Sequence, residues 1–543
     1  MLHKKAAYSG VYGIIWATRT WKGRVEAPFP SVTPPLKAIA VNARERSQLS
    51  LSAQQTQHNP LAEEDLWRQR LVAELSSILD EGISRLRANP DRTMAYMERG
   101  AQAIMREISG PMLDQLAERV DDELPRPGCC GASMEITNRR PREILSLVAA
   151  NRPRRREYRC AGCGRTVIPA DEVLGLGPGK YSPELTRVVS ANGAEIASFE
   201  RATILVAETL GLSDLHVSTL TRTCQAIGAS VEAGEQAARA ALKLQSTVAE
   251  VPEAPIAAAE PSLLLGVDAT KAHADGKWRD VKVAVAATLA PGDVPPPDAQ
   301  GTGTPQAPTA VPEAAPPDLV MGPRSFAAAI EDADHFLLRA IVLLGQLGWL
   351  PGQPAVILLL GDGGPWIWAY AARLRALGLQ VIEVLDLYHA REHIWKVAHA
   401  VLGTGIAAHH WGDKVAAALK AEGPQPVLEA LRKLRPRGRN QKAEVRKAID
   451  YFQTNAGRMH YPEYAARGLP LGSGIVESAC RLVSGLRVKQ PGMRWTLGGV
   501  QAILSLRALR LGPVSAWSHF WRSCPLRRRP PVASLHRPMV HAA

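Results

Sequence analysis

The sequence predicts an α/β protein. A sheet-based core carries an all-helical insertion, and a mainly helical region containing a small cysteine module precedes it. Three observations predict this. The apolar runs Leu263–Val267, Ala355–Leu360 and Val381–Leu385 read as buried strands, each leading into an aspartate, and they alternate with helical stretches. That alternation argues for parallel neighbours in a sheet. Leu, Ala and charged residues recur at helical spacing in residues 62–120 and from Ala416 to Tyr451, whereas residues 125–170 lose that periodicity and gain cysteines.

Taken in order, residues 1–58 read as a disordered tail or a mis-called start. His3, Lys4 and Lys5 precede an apolar run from Tyr8 to Ala17 that imitates a signal peptide, but Gly10 and Gly13 interrupt it and no A-x-A site follows. Residues 59–124 are expected to be helical, with Leu66, Leu71, Leu75, Ile78 and Leu79 on one stripe. Asn89-Pro90 breaks them, and a second helix is expected from Thr93 to Arg119.

Residues 125–170 read as a small metal-stabilised or β-rich module. Cys160-Ala161-Gly162-Cys163 is an intact knuckle. Cys130-Gly131 matches the end of another, but its first position is Pro127 and Cys129 is adjacent instead. Cys129, Cys130, Cys160 and Cys163 supply four thiolates for zinc, although adjacent cysteines rarely both reach one tetrahedral ion. A module held by packing alone is the competing reading.

Residues 171–240 show a helix ending at Gly211 and another starting near Ser218, a fair N-cap. That is a helix-turn-helix pattern of the DNA-binding kind, or two packed core helices. A linker follows over 241–260. Residues 261–522 form the core, with a low-complexity insertion at 291–323 and a helical insertion at 390–470. Residues 523–543 read as a basic tail.

The core concentrates acids where strands end. Asp268 follows Leu263–Val267, and Val281, Val283 and Val285 then alternate as the second strand of a hairpin. Asp362 follows Ala355–Gly361, and Asp386 follows Val381–Leu385. Glu477 lies in the first turn of a helix whose Val476, Ala479, Val483 and Leu486 recur at 3-4-3 spacing. Two strand-end aspartates and a helical glutamate suit hard divalent cations, which take carboxylate oxygens. A pair of such ions activates a nucleophilic oxygen and stabilises the leaving oxygen of a phosphodiester. A single strand-end aspartate more often caps a loop, so the argument rests on the set.

Charge points the same way. Lys and Arg exceed Asp and Glu by 65 − 52 = 13, and the sequence pI is about 9.5. Such a balance favours a polyanionic partner, nucleic acid first, against the plain alternative of arginine-rich codon usage. The 66 residues after Glu477 contain no Asp or Glu but eleven Arg or Lys. Arg481, Arg487, Lys489 and Arg494, with Trp495 beside them, suit phosphate contact and base stacking. An apolar content of 46% excludes disorder throughout. Seven cysteines in 543 residues are no secreted disulfide framework. No apolar stretch is long enough for a membrane span, so a cytoplasmic, nucleoid-associated protein is expected.

These residues resemble the ISKra-four family of bacterial insertion-sequence transposases. The resemblance is carried by Gly266-Val267-Asp268-Ala269-Thr270, Asp362-Gly363, Leu385-Asp386-Leu387-Tyr388-His389-Ala390-Arg391-Glu392-His393, Gly468 through Cys480, and Lys489-Gln490-Pro491-Gly492-Met493-Arg494-Trp495. It covers roughly residues 120–522, and it implies that residues 125–170 are a zinc-ribbon-like module, here partly degenerate. It implies an RNase H-like DDE catalytic core, with Asp268, Asp362 and Glu477 as the acids that hold Mg²⁺ or Mn²⁺ in a two-metal site. It implies that Asp386 and His389 support that site, as in the Asp/Cys-x-x-His motif of Mutator-like relatives. It also implies the reaction: water frees a 3′-hydroxyl at an element end, and that hydroxyl attacks target DNA. The implied partners are the terminal repeats, target DNA and further copies of the chain.

Two other readings compete. His389-Ala390-Arg391-Glu392-His393 matches the H-x-x-E-H signature of a zinc metallopeptidase. A decayed or domesticated element would bind DNA without catalysis. Gly472-Ser473-Gly474 is no nucleophile elbow, and Ser473 is expected to cap the Glu477 helix.

Overall fold

A computed structural model describes residues 60–245, 261–291 and 319–523. The expected 1–58 tail, most of the 241–260 linker, most of the 291–323 insertion and nearly all of the 523–543 tail lie outside them. The chain divides into two compact units, Met1–Glu63 and Glu64–Ala543. The contacts described below all lie in the second.

Helices α1 (Pro60–Ala88) and α2 (Met94–Glu123) form the N-terminal helical region. They break where Asn89-Pro90 predicts, and the Thr93 hydroxyl caps α2 by accepting from the Tyr96 amide. The cysteine module follows as short antiparallel pairs: Gly128–Cys129 with Ala132–Ser133, and Glu135–Pro141 with Arg154–Arg159, which also pairs with Thr166–Val167. Much of its basic charge is neutralised. Arg139 pairs with Asp122, Arg142 and Arg155 with Asp171, and Arg156 with buried Asp121.

Next come α3 (Pro183–Glu195), α4 (Phe199–Leu210) and α5 (Val217–Gln245). Gly211 ends α4 in the left-handed region at φ 61°, which a glycine adopts without strain. The helix-turn-helix outline is therefore present. Ser218 is not its cap, however: the amides of Thr219 and Leu220 donate to the His216 carbonyl, so α5 begins one residue earlier. Leu220, Cys224 and Ile227 of α5 are fully buried.

The core is a five-stranded sheet: β1 (Leu263–Ala274), β2 (Lys277–Pro291), β3 (Leu319–Ala329), β4 (Ala355–Gly361) and β5 (Leu379–Leu385). The spatial order is β3-β2-β1-β4-β5. β1, β2 and β3 run antiparallel in sequence, and β4 is parallel to both β1 and β5. The third strand starts at Leu319, inside the stretch read as low complexity. Both faces are covered, which is why β4 reads as a continuous apolar run, whereas the edge strand β5 is interrupted by Gln380 and Glu383. On one face α6 (Ala333–Gln346) and α7 (Pro365–Ala376) pack Phe336, Leu337, Leu344 and Tyr370 against Leu265, Val267, Ile357 and Leu359. The other face meets the remaining helices through Leu264, Val283, Leu358 and Val384.

The expected helical insertion is present as α8 (Leu387–Leu402), α9 (Ile406–Glu422), α10 (Pro424–Lys433) and α11 (Arg439–Thr454), which bury Val397, Leu419, Leu431 and Phe452. The chain then returns to the sheet with α12 (Gly474–Ala479), a π-helical turn over Cys480–Gly485, a helical turn Leu486–Val488, and α13 (Leu497–Leu511) and α14 (Val514–Ser523). The sequence suggests one regular helix with Leu486 on its buried stripe. The π turn holds more residues per turn than an α turn. It rotates Leu486 outward, to 39% exposure, and leaves Arg487 on the buried face.

Arg487 was expected to contact DNA. Instead it is fully buried. Its Nε donates to the Gly193 carbonyl at 2.9 Å, and its guanidinium lies 4.1 Å from the Phe199 ring centroid and 5.4 Å from that of Trp495. Arg507, also buried, donates to the Ala194 and Glu195 carbonyls. These are orphan carbonyls at the C-terminus of α3, where cations are also favoured by the helix dipole. Burial draws the Arg487 pKa down to about 10. Arg487→Met leaves a buried carbonyl without its donor, at a cost of about 1–3 kcal/mol. It is therefore expected to lower the thermal unfolding midpoint by several degrees, measured by calorimetry, while Arg494→Met at the exposed neighbouring position leaves it unchanged.

Candidate active site

Strand register builds the site. Leu360 pairs with Gly266, and Gly361 pairs with Leu385. Continued one step past Gly361↔Leu385 and two steps past Leu360↔Gly266, the same register brings Asp362 level with Asp386 and Asp268 on three adjacent parallel strands. Neighbouring strands lie ~4.8 Å apart, so the three aspartates share one rung. Asp362 and Asp386 sit just past the ends of β4 and β5, as expected. Asp268 does not end its strand: β1 runs on to Ala274. The rung is still an edge, because the pairing between β1 and β4 stops at Gly266.

Glu477 approaches this rung from α12, near enough for its charge to act on Asp268, although the carboxylate oxygens of Asp268, Asp362 and Glu477 do not all lie within 4.8 Å of one another. Val476 packs directly on Gly266, where a Cβ would come within 2.3 Å of Val476 Cγ2. Only glycine lets the helix approach the strand this closely. Asp268 Oδ1 accepts from the Ala269 amide at 2.6 Å, and Asp362 Oδ1 accepts from the Gly364 amide at 3.1 Å. Neither aspartate, nor Glu477, forms an ion pair among the described residues. Burial raises the Asp268 pKa, and the charges of Asp362 and Glu477 raise it further. The three carboxylates therefore feel one another with no cation between them.

Ser473 does not cap α12 with its side chain. Its hydroxyl lies between two carboxylates instead, donating to Asp386 Oδ2 and lying 3.3 Å from Glu477 Oε1. Asp386 is buried, and its Oδ1 accepts from the Tyr388 amide, so it caps α8 and braces the loop before Glu477 at once. Cys480, one turn after Val476, points its thiol at Asp268 Oδ2 across 3.6 Å. Burial and the Asp268 charge hold that thiol protonated, well above its ordinary pKa. The signal for Ser473 was its place four residues before Glu477; nothing in the sequence singled out Cys480.

His389 forms no hydrogen bond or ion pair with Asp268, Asp362 or Glu477 among the described residues. Its Nδ1 is 3.8 Å from the Glu392 carboxylate, and its ring meets His393 edge-on at 5.5 Å. His393 stacks on Tyr451 at 3.8 Å, and burial, with help from Lys396 and His389, brings its pKa down to about 4. His393 is thus packed on Tyr451, and among the described residues His389 and His393 belong to no group whose ligand atoms converge on a metal position, which removes support from the peptidase reading.

Among the described residues, one group of His, Cys, Asp or Glu brings its ligand atoms within 4.8 Å of one another: Cys129, Cys130, Cys160 and Cys163. The expected obstacle of adjacent cysteines is overcome by the backbone. Cys130 takes the left-handed region at φ 51° and Gly131 at φ 79°, which turns both sulfurs inward. Cys129 Sγ lies 3.5 Å from Cys163 Sγ. Amide donation from Cys163 draws the Cys160 thiol down to about 7. The module's own buried core is only Met134, Tyr158 and Cys160, too little to hold so short a fold. These four thiols can hold a metal ion such as zinc.

Of the residues expected on a basic DNA-contacting face, Arg481, Lys489 and Arg494 are exposed and form no ion pair among the described residues. Trp495 is half-buried. Its Nε1 donates to the Val488 carbonyl at 3.2 Å and its ring closes over Arg487, so it is not free to stack on bases. Among the described residues no helix is long and apolar enough to cross a membrane. Comparison with protein-family models and with curated proteins returns no match.

Two outcomes follow from this geometry. The chain is expected to bind added Zn²⁺ one to one under reducing conditions, and Cys160→Ser to lose the ion, as read by elemental analysis after desalting. Ionised Asp268 costs stability, because its folded-state pKa is raised: stability declines as pH climbs from the ordinary carboxylate range through the raised value. Asp268→Asn in EDTA at neutral pH is therefore expected to unfold about 1–2 °C above the native chain, and the gap to close when both are measured near pH 3.

Proposed function

We propose that the chain is a DDE transposase that cuts and joins DNA at the ends of an insertion sequence. The observation that carries this reading is the carboxylate rung: Asp268 and Asp362 on adjacent strands, Glu477 beside them, and no protein cation to balance them. Oxygen-only donors without a counter-charge fit hard divalent ions. Asp268, Asp362 and Glu477 would hold Mg²⁺ or Mn²⁺. Such a pair of ions, when bound, supplies activation of the attacking oxygen and stabilisation of the leaving oxygen.

The protein's own contributions are distinct. Asp386 and Ser473 orient the loop that carries Glu477. The tight Gly266–Val476 approach fixes how far Glu477 reaches. Arg481, Lys489 and Arg494 offer unpaired charge to phosphates beside the acids. The β3-β2-β1-β4-β5 order with a helical insertion before α12 supports an RNase H-like core. The cysteine module as a structural zinc ribbon and α4–α5 as a DNA-reading helix pair complete the proposal, with oligomers assembling on paired ends.

The reading is tested on supercoiled plasmid carrying the element's flanking DNA, with Mg²⁺ or Mn²⁺. Native chain is expected to nick or cut it. Asp268→Asn and Glu477→Gln are expected to lower the rate at least about a hundredfold, the size of effect seen when one charge-stabilising group is lost, while still binding DNA. Cleavage that persists in both variants rejects the three-carboxylate site. Binding without cleavage by the native chain favours the non-catalytic reading.

A further inference from the structure

The β1–β2 hairpin outruns the sheet. β4 leaves β1 at Gly266, and β3 leaves β2 at Lys282. Beyond those points no other strand of the sheet pairs with them: they pair with each other from Thr270↔Val281 to Ala274↔Lys277, and Ala274 also bridges to Trp495. Asp275 and Gly276 close the tip with φ values of 47° and 72°, the paired positive φ of a tight two-residue hairpin.

The two faces of this ribbon differ. One carries Ala272, Ala274 and Val281, all fully buried, together with their strand partners Arg279 and, at the tip, Lys277. Along the β1 edge that β4 has left runs the segment ending at Trp495, level with Ala274; the Trp495 amide donates to the His273 carbonyl at 3.3 Å and its carbonyl accepts from the Asp275 amide at 2.9 Å. Exposed Lys489 and Arg494 are thereby fastened beside the ribbon. The other face carries Lys271, His273, Trp278 and Asp280. Trp278 is 62% exposed, touching His273 edge-on with ring centroids 5.5 Å apart. An indole held at a hairpin tip buries little of the area that normally makes tryptophan stabilising. Lys277, Lys489 and Arg494 form no ion pair among the described residues.

We propose that this ribbon is a nucleic-acid contact element in which Trp278 stacks on an unpaired base, with Lys277, Lys489 and Arg494 on the adjacent phosphates. Unpaired cations select a polyanion, and an exposed aromatic selects a free base face. Bases offer such faces in single strands and at opened duplex ends, so the partner is DNA with an unpaired segment. The distance is informative. Trp278 is paired with His273, five residues along β1 from Asp268, or ~16 Å at ~3.3 Å per residue. That is roughly five nucleotide steps of ~3.4 Å. The placement relative to a cut rests on the transposase reading; the contact itself does not.

The test is binding by the full chain in EDTA, followed by fluorescence anisotropy, so that cleavage plays no part. The probes are a blunt 20-base-pair duplex and the same duplex with a ten-nucleotide 3′ overhang. Trp278→Ala is expected to weaken overhang binding about 5- to 100-fold and leave blunt-duplex binding nearly unchanged. Trp278→Phe should restore most of the difference. Lys277→Gln should lower the salt slope by about one. Native unfolding temperature in each variant establishes that folding is intact. Equal overhang binding by Trp278→Ala and native chain overturns the proposal, as does an equal loss on both probes, or no binding of either probe by the native chain. If Trp278 proves silent while metal-dependent cleavage persists, the ribbon assignment fails and the enzymatic reading stands. If Trp278 matters and no cleavage is found, the reverse holds.

Discussion

Two buried arginines on the C-terminal segment hold the molecule's halves in register. Arg487 and Arg507 reach across from either end of the segment around α13 to the last carbonyls of α3. Neither has a carboxylate to neutralise it at the contact with those carbonyls. Each is compensated by carbonyl dipoles, and Arg487 also by the faces of Phe199 and Trp495. Removing a cation from water is expensive, so this arrangement persists only because the carbonyls would otherwise be orphaned too. The π turn makes it geometrically feasible by aiming Arg487 inward. The same turn begins at Cys480, against Asp268. One local irregularity therefore serves both the anchoring of the helical region and the wall of the acidic site.

The acidic site is built against electrostatic preference. A sheet register levels Asp268, Asp362 and Asp386, and a glycine without a side chain lets Glu477 join them. Hydrogen bonds from backbone amides and from Ser473 offset part of the repulsion, but they bring no positive charge. Such a cluster is tolerable in a fold with large hydrophobic layers on both faces of the sheet, which supply the stability the carboxylates remove.

Much of this was legible in the sequence. β4 is an uninterrupted apolar run because both faces are covered, β5 is a mostly apolar one broken by Gln380 and Glu383, and the aspartates that follow announce the strand ends. The helix break at Asn89-Pro90 and the left-handed Gly211 follow from residue chemistry alone. What was hidden depends on tertiary geometry. Asp268 continues its strand because β2 goes on pairing with it after β4 has departed, and no local pattern records where a neighbour stops. Arg487 and Trp495 look like a nucleic-acid contact pair in one dimension; only the partner carbonyls and Phe199, nearly 300 residues earlier in the chain, turn them inward. The converging sulfurs of Cys129 and Cys130 depend on a positive φ at a non-glycine residue, which spacing rules do not anticipate.

The packing of α5 against α13 bears on how the chain is made. Gly228 lies so close to the Ala502 carbonyl that a Cβ would come within 2.0 Å of it. The two positions are 502 − 228 = 274 residues apart. At roughly 5–20 residues per second, ribosomal synthesis separates them by about 14–55 s. During that interval Leu220, Cys224 and Ile227 have no final partner on the C-terminal side. The helical region cannot be completed as an independent early domain on the ribosome, and the nascent chain must keep an apolar helix face from aggregating until α13 has emerged.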